Sequence, residues 1–177
     1  MKKTILNLVV AAATFSLMST SLQTQAKPTD IMMGGMLNHA IYSGDGIDEF
    51  ALSAYTIRMG IETLPNQTIE YRFSKGLTEE SVSGIEYELD KLFGIYYNVN
   101  YQFSKNYSAY AIAGFSSIKL DKTVDDVEEN QSHIMGAYGL GFKYKLAKDA
   151  NINIEAMMYA DGDIKYSAAG AGIELVF

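Results

Sequence analysis

The chain has 177 residues, including 14 basic and 21 acidic side chains, which give a net charge of −7, and it contains no cysteine. This length suits one domain of ordinary size, and the negative charge argues against nucleic acid as a partner. Without cysteine, a disulfide scaffold, a thiolate metal site and lipid attachment at an N-terminal cysteine are all excluded.

The first 26 residues have the pattern of a secretory signal peptide. Lys2 and Lys3 precede an apolar stretch from Ile5 to Met18, and uncharged polar residues then lead to Ala26. A basic start, a short apolar region and a small residue at the break are typical of a cleaved export signal. The apolar stretch is shorter than the ~20 residues of a spanning helix. We therefore predict cleavage after Ala26 and a mature domain over residues 27–177, outside the cytoplasm.

Residues 85–104 carry the strongest signal for secondary structure. Nine of the ten odd positions are apolar or aromatic, whereas the even positions hold Glu or Asp at 86–90 and mainly Gly, Asn, Gln and Ser from 94 to 104. Successive side chains of a strand point to opposite faces, so this segment predicts a strand with all its odd residues on one face. A soluble sandwich would alternate too, but its polar face would usually hold Lys and Glu. Neutral polar residues inward and large aromatics outward are typical of a lipid-embedded barrel.

The same alternation recurs along the chain and predicts eight strands. The other seven lie at about residues 31–42, 53–62, 68–73, 109–118, 134–146, 151–160 and 169–177. The register of the strand at 109–118 is left open, because both of its faces are apolar. The connections fall into short ones at 64–66, 104–106, 147–150 and 161–163, and longer ones at 43–50, 75–85 and 121–132. This pattern predicts an all-β, eight-stranded antiparallel up-and-down transmembrane β-barrel with both termini in the periplasm.

The width of the membrane predicts where Lys91, the one charged residue on the apolar face of this strand, lies relative to the lipid. An apolar band of ~25 Å crossed at a tilt of ~40° takes about ten residues. Counting back from Phe103 ends this band near Gly94, so residues 85–91 are predicted to project beyond the lipid. Lys91 is therefore expected at the interface, where a charge costs ~0 to 1 kcal/mol.

Three stretches, at 69–73, 94–115 and 170–177, resemble the eight-stranded outer-membrane barrels of the OmpA transmembrane, OmpX-like and porin-family group. The last stretch resembles the C-terminal assembly signal of these proteins, with Gly172, Leu175 and Phe177 in register, although Gly170 departs from the polar residue usual at its first position. The resemblance implies the outer membrane of a Gram-negative bacterium, insertion by the outer-membrane assembly machinery after periplasmic chaperoning, and outer-membrane lipid with lipopolysaccharide as neighbours. We also predict a monomer.

Charged side chains are predicted inside the barrel, close to Asn98, Asn100 and Gln102. The predicted interior charges are Arg58, Glu62, Glu70, Arg72, Lys143, Lys145 and Glu155. An eight-stranded barrel is only wide enough for its own side chains, and buried charges must be paired. A structural network is therefore the favoured interpretation. The alternative is a narrow, gated path for ions or small solutes, in which one Arg/Glu pairing exchanges for another.

The longer loops are predicted to be extracellular and acidic. Their candidate contacts are Asp45, Asp48, Glu79, Glu80, Asp125, Asp126, Glu128 and Glu129, with Glu49, Glu86, Glu88 and Asp121 nearby. Such charges can be ordinary solvated surface, or they can bind a host or matrix protein, or divalent cations that bridge to lipopolysaccharide. No loop matches the alternating Asp/Asn template of a calcium site, so no metal ligand is assigned.

The two histidines do not form a recognisable catalytic arrangement. His133 directly follows Ser132, and His39 has no evident partner. A nucleophilic mechanism needs a base within hydrogen-bond reach of the nucleophile. We therefore predict a non-enzymatic protein without catalytic residues, cofactor or metal, with an envelope or adhesin-like role through its acidic loops. A narrow channel is the second hypothesis and a lipid-modifying outer-membrane enzyme the third.

Overall fold

The computed structural model describes residues 30–44, 47–82, 84–124, 127–162 and 164–177. For residues 47–48, 124 and 127–130 it describes the backbone alone. The predicted signal peptide, residues 1–26, lies outside the described residues and stays a prediction.

Within the described residues, nine strand segments form one antiparallel sheet. They are β1 (Ile31–Gly44), β2 (Ile47–Leu64), β3 (Gln67–Gly76), β4 (Glu79–Val82), β5 (Ile85–Gln102), β6 (Tyr107–Val124), β7 (Val127–Ala147), β8 (Ala150–Asp161) and β9 (Ile164–Val176). β4 continues β3 after an interruption at residues 77–78, because both segments pair with β5. β1 pairs with β9, so the sheet closes into a barrel of eight strands and confirms the predicted fold. In the described ranges, no helix is long and apolar enough to cross a membrane.

Large apolar side chains cover the outside of this barrel. Ile95 on β5 is 47% exposed and Leu140 on β7 is 66% exposed, whereas the alternating neighbour Tyr96 is buried. A contiguous apolar surface of this kind marks a membrane or protein interaction site. The structure also decides the register of β6, since Tyr110 faces the interior and Phe115 faces outward.

The two ends of the barrel differ. One end, which we call the terminal end, holds Asp30, Phe177 and the turns at 65–66, 103–106 and 148–149. Its outer rim is aromatic, with the rings of Tyr107 and Tyr144 5.1 Å apart. The opposite end, which we call the hairpin end, holds the connections of β1 to β2, β4 to β5, β6 to β7 and β8 to β9.

The predicted long loops at 43–50, 75–85 and 121–132 are wrong in extent. Pairing continues to Gly44 and Ile47, to Val82 and Ile85, and to Val124 and Val127. Beyond the lipid, one face no longer has to be apolar, so the alternation that marked the strands fades. The backbone groups still need hydrogen-bond partners, and the continued ladder supplies them. Among the residues that the structure describes, the acidic ones predicted in loops therefore lie in strands.

A β-bulge interrupts β5 at Asp90. Leu89 pairs with Leu120 on β6, and Lys91 pairs with Lys119, so Asp90 has no partner of its own in the ladder. One extra residue in a strand reverses the alternation of its side chains. The two parts of β5 therefore present opposite sets of residues to the barrel interior.

Because of the bulge, part of the side-chain orientation predicted for residues 85–104 is wrong. Tyr87 and Leu89 are buried in the core, and Ile85 packs against it. These three residues were predicted to face outward, and that prediction is wrong. The predicted facing is correct on the other side of the bulge, where Lys91, Phe93 and Ile95 are exposed on the outer face.

Candidate functional site

An alternating chain of ion pairs crosses the interior of the barrel. Its members among the described residues are, in order, Lys143, Glu174, Arg58, Glu70, Arg72 and Glu155. All six are buried, and the three cations balance the three carboxylates. We call this set the ion-pair chain. Its neutrality is what permits charges in a space that water scarcely reaches.

Glu70 is the centre of the ion-pair chain. Arg58 and Arg72 lie directly opposite each other on β2 and β3, an arrangement that is unfavourable for two like charges. Glu70 compensates both, because Arg58 Nη2 donates to its Oε2 at 2.9 Å and Arg72 Nε donates to its Oε1 at 2.6 Å. The amide of Asn98 adds a contact to Oε2 at 3.4 Å.

The two ends of the ion-pair chain are anchored by neighbouring polar groups. At one end, Arg72 Nη2 donates to Glu155 Oε2 at 2.7 Å and Tyr110 Oη donates to the same oxygen at 2.8 Å. At the other end, Lys143 Nζ and Asn151 Nδ2 donate to Glu174 Oε1 at 3.0 Å and 3.1 Å. Each carboxylate therefore has more than one donor.

The structure brings together five of the seven predicted interior charges. They are Arg58, Glu70, Arg72, Lys143 and Glu155. Glu62 and Lys145 instead lie at the mouth of the terminal end and are partly or fully exposed. The prediction missed Glu174, although its position between the outward-facing Ile173 and Leu175 is a signal that could have found it.

A polar cavity opens at the terminal end and reaches the ion-pair chain. This vestibule has a volume of about 300 Å³. Its walls include the predicted polar residues Asn100 and Gln102, and Lys143 and Glu174 line its inner part. The vestibule is therefore a mixed-charge space in which no single sign of charge prevails.

Beyond the ion-pair chain, the hairpin half of the interior is filled with apolar side chains, which we call the apolar plug. Its members include Tyr42, Phe50, Leu52, Tyr87, Leu89, Leu92, Ile118, Leu120, Met135, Tyr159 and Tyr166. The rings of Phe50 and Tyr87 stack with centroids 4.7 Å apart, and Leu89 is 0% exposed. A second cavity of about 10 Å³ beside Arg72 and Glu155 holds at most a single water. Among the described residues, the plug separates the vestibule from the hairpin end.

Two rows of charge cross the outer surface at the hairpin end. Glu79, Glu88 and Asp121 are consecutive cross-strand partners on β4, β5 and β6, and we call them the acidic row. One step nearer the apolar band, Lys91 lies opposite Lys119. The acidic row and the lysines thus form adjacent layers of opposite charge.

Asp90, the residue in the bulge, links these lysines. Its Oδ2 lies 2.9 Å from Lys119 Nζ and 3.9 Å from Lys91 Nζ, and Asp121 Oδ1 lies 3.6 Å from Lys119 Nζ. The hydrogen bond from Lys119 and the charges of Lys119, Lys91 and Lys75 hold the pKa of the Asp90 carboxyl below its usual value. Asp90 therefore stays ionised among lysines from three strands.

The predicted loop contacts are distributed in three ways. Glu79 and Glu80 lie exposed on β4. The backbone of Asp48 belongs to β2, and the backbones of Glu128 and Glu129 belong to β7. Asp45, Asp125 and Asp126 lie outside the described residues.

The predicted assembly signal lies on the strand that closes the barrel. Leu175 and Phe177 face outward, whereas Gly172 lies on the interior side opposite Met36. The Phe177 amide donates to the Ile31 carbonyl oxygen at 2.9 Å, so the last residue is hydrogen-bonded to the first strand.

The structure does not bring either histidine into a catalytic arrangement. His39 is exposed on the outer face beside an apolar depression of about 720 Å³, and it lies across from Ser53 without a hydrogen bond to it. His133 is the cross-strand partner of the inward-facing Ile118, whereas its neighbour Ser132 faces outward. In the described part of the chain, no group of three or more His, Cys, Asp or Glu side chains could hold a metal ion.

Several solved structures share this barrel. Ail, the attachment invasion locus protein of Yersinia pestis, is 14% identical, with a TM-score of 0.66 over 85% of this chain and 100% of that chain. Neisserial surface protein A is 12% identical, with a TM-score of 0.69 over 85% of this chain and 100% of that chain. The N-terminal β-barrel domain of Pseudomonas aeruginosa OprF is 13% identical, with a TM-score of 0.57 over 81% of this chain and 97% of that chain. At these identities the likeness concerns the fold alone.

Comparison with curated protein sequences yields no match. The family described as "Outer membrane protein beta-barrel domain" matches residues 9–177, which is nearly the whole chain. The exposed apolar belt, the closed eight-stranded sheet and this match agree with one another. The chain belongs to the outer membrane protein beta-barrel domain family.

Proposed function

We propose that this protein is a non-enzymatic barrel of the Gram-negative outer membrane, exported through its signal peptide, with an adhesin-like role at the cell surface. The observation that carries the proposal is the acidic row, which the paired strands β4, β5 and β6 hold beyond the apolar band. Outer-membrane lipid, lipopolysaccharide, the assembly machinery and periplasmic chaperones are its proposed partners, and a monomer is its proposed state.

The proposed orientation places the terminal end in the periplasm and the hairpin end outside the cell. An even number of strands puts both chain ends on the same side, and at the hairpin end the paired strands extend past Lys91 and Lys119 as far as Val124 and Val127. Outer-membrane barrels have their longer extensions outside the cell. Gly172 and Leu175 on β9 and Phe177, which directly follows β9, are the proposed contacts of the assembly machinery. In this orientation the acidic row faces the surroundings of the cell.

An ordered acidic surface suits a partner with a basic patch. Complementary charge steers encounter and selects partners, even where each exposed pair adds little affinity. Glu79 and Glu88 project from paired strands, so little ordering is needed before contact. Ail, which shares the fold, is named as an attachment invasion locus protein. We therefore propose a basic region of a host or matrix protein as the ligand.

Neutralising the acidic row is expected to abolish adhesion. Bacteria that display the E79Q/E88Q/D121N variant should bind immobilised extracellular-matrix proteins no better than cells without the gene, and wild-type cells should bind more at low than at high salt. The matched control is E62Q/D149N, which removes acidic charge at the terminal end. Equal binding by the acidic-row variant and the wild type would reject the proposed contact surface.

The apolar plug argues against the channel hypothesis. Conduction needs a continuous polar path, but the vestibule ends at the ion-pair chain, beyond which Leu89 and Ile118 are fully buried. Opening a path would require several packed side chains of the plug to move as well as an exchange of Arg/Glu pairs.

We expect the folded protein to produce no conductance steps in planar bilayers. The measurement compares the baseline current with and without the protein, and a known trimeric porin in the same bilayer serves as the positive control. Reproducible unitary steps that depend on the presence of folded protein would revive the channel hypothesis.

A lipid-modifying enzyme remains the third hypothesis. It would need a base next to a nucleophile, and His39 and His133 lie on opposite faces of the barrel wall. The mass profile of lipid A from cells with and without the gene tests it, and an unchanged profile is expected.

A further inference from the structure

We propose that a row of three lysines at the rim of the apolar band binds the phosphate groups of a glycolipid headgroup in the outer leaflet. The three residues are Lys75, Lys91 and Lys119, which we call the lysine row. This inference rests on the proposed location and orientation in the outer membrane, and it assigns the lysine row to the lipid and not to the adhesin ligand.

The sheet brings the three lysines side by side. Lys91 on β5 is the cross-strand partner of Lys119 on β6. On the other side of β5, Ser74 pairs with Leu92. Lys75 is therefore the next residue of β3 beside Lys91, and its charge acts on Asp90.

The lysine row lies at the edge of the lipid-facing surface. In the adjacent row nearer the membrane centre, Phe73 pairs with Phe93, and both are exposed on the outer face. Tyr101, on the aromatic rim of the terminal end, lies about ten residues from Lys91 along β5, which spans ~25 Å of membrane at a tilt of ~40°. The lysines therefore lie at the level where headgroup phosphates begin.

The charge of the lysine row is only partly compensated within the protein. Like charges directly opposite each other are destabilising. Asp90 is shared between Lys91 at 3.9 Å and Lys119 at 2.9 Å, and Asp121 lies 3.6 Å from Lys119, so two carboxylates face three lysines. The Lys91 side chain remains 55% exposed. An anion seated between the lysines would relieve this repulsion.

The acidic row decides where that anion comes from. Glu79, Glu88 and Asp121 lie on the water side of the lysines, so a soluble anion would have to pass three carboxylates. A phosphate on a lipid headgroup instead approaches along the membrane plane, below the acidic row. The arrangement therefore selects a membrane-bound phosphate over a free one.

Removing two lysines tests the site directly. Wild-type protein and the K91Q/K119Q variant are placed in phosphatidylcholine nanodiscs, and the binding of fluorescent bisphosphorylated lipid A is titrated. A basic residue near an anionic lipid surface contributes roughly a fivefold change in affinity, so the double variant should bind about 25-fold more weakly. The difference should shrink at high salt, and K105Q/K148Q, at the turns of the terminal end, should bind like the wild type.

The D90N variant separates a binding site from a structural ion pair. If Asp90 and Lys119 only stabilise each other, D90N and K119Q should have similar effects. If the lysines bind phosphate, D90N should strengthen binding roughly fivefold, because it frees positive charge, while K119Q weakens it. Effects of the same sign would overturn the proposal.

Two further outcomes would also overturn it. Unchanged lipid A affinity in K91Q/K119Q would remove the site, and displacement of lipid A by millimolar inorganic phosphate would assign the lysines to a soluble anion. Should the double variant fail to fold, the exposed Lys91 alone is replaced, as K91Q. Wild-type protein without a heat-dependent shift in electrophoretic mobility would instead contradict the proposed outer-membrane barrel, so the two failures are distinguishable.

Discussion

Replacing Glu70 with alanine is expected to lower the free energy of unfolding by about 3–5 kcal/mol, because it leaves buried charge without its partner. Glu70 contacts both Arg58 and Arg72 at 3 Å or less. After the substitution, the ion pair with Glu174 at 3.6 Å would be the one left to Arg58 among the described residues, and two arginines that face each other across the strands would repel.

Urea unfolding of the refolded protein in lipid or detergent measures this effect. The matched control is E62A, which removes the same side chain at the mouth of the terminal end and should change stability by at most ~0.5 kcal/mol. A loss below ~1 kcal/mol for E70A would mean that water reaches Arg58 and Arg72 at the centre of the ion-pair chain and screens their charges.

Introducing arginine at Ile95 is expected to cost ~2–4 kcal/mol or to prevent assembly, because it places a charge within the apolar band. Ile95 is exposed on the outer face of β5, between the lysine row and the aromatic rim. The control is Tyr101→Arg on the same strand at the rim, where the same charge should cost ~0–1 kcal/mol.

A second comparison tests the two faces of the same strand. Asn98 is buried inside the barrel and donates to Glu70 at 3.4 Å, so N98A should lose about 1 kcal/mol. Heat-dependent electrophoretic mobility and urea unfolding report both changes. Equal losses for I95R and N98A would contradict the assignment of outer and inner faces.

Much of the fold was predictable because a lipid-embedded strand must alternate. Each residue of the band faces either lipid or the interior, so the polarity of the side chains records the strand period over 93–103 and 134–146. Turn residues such as Pro65 and Asn66, the latter at φ 66°, mark where the chain reverses. Alternation and turn residues can be identified in the sequence without knowing which strands pair with each other.

The interior charges were predictable as a class but not as a network. Alternation indicates that Arg58, Glu70 and Arg72 face inward, yet it carries no information on which strands oppose one another across the barrel. Glu155 meets Arg72 from β8 across the interior, and Glu174 meets Arg58 from β9. Only closure of the barrel brings such distant residues together.

The sequence by itself determined the barrel, its strand count and the facing of residues within the apolar band, because lipid imposes one rule on every position there. The tertiary structure alone decided the bulge at Asp90, the inward turn of Tyr87 and Leu89, the extended hairpins and the lysine row. Beyond the lipid, the face on which a side chain lies depends on the register between neighbouring strands. Register is a property of a strand pair, and the alternation within one strand does not determine it.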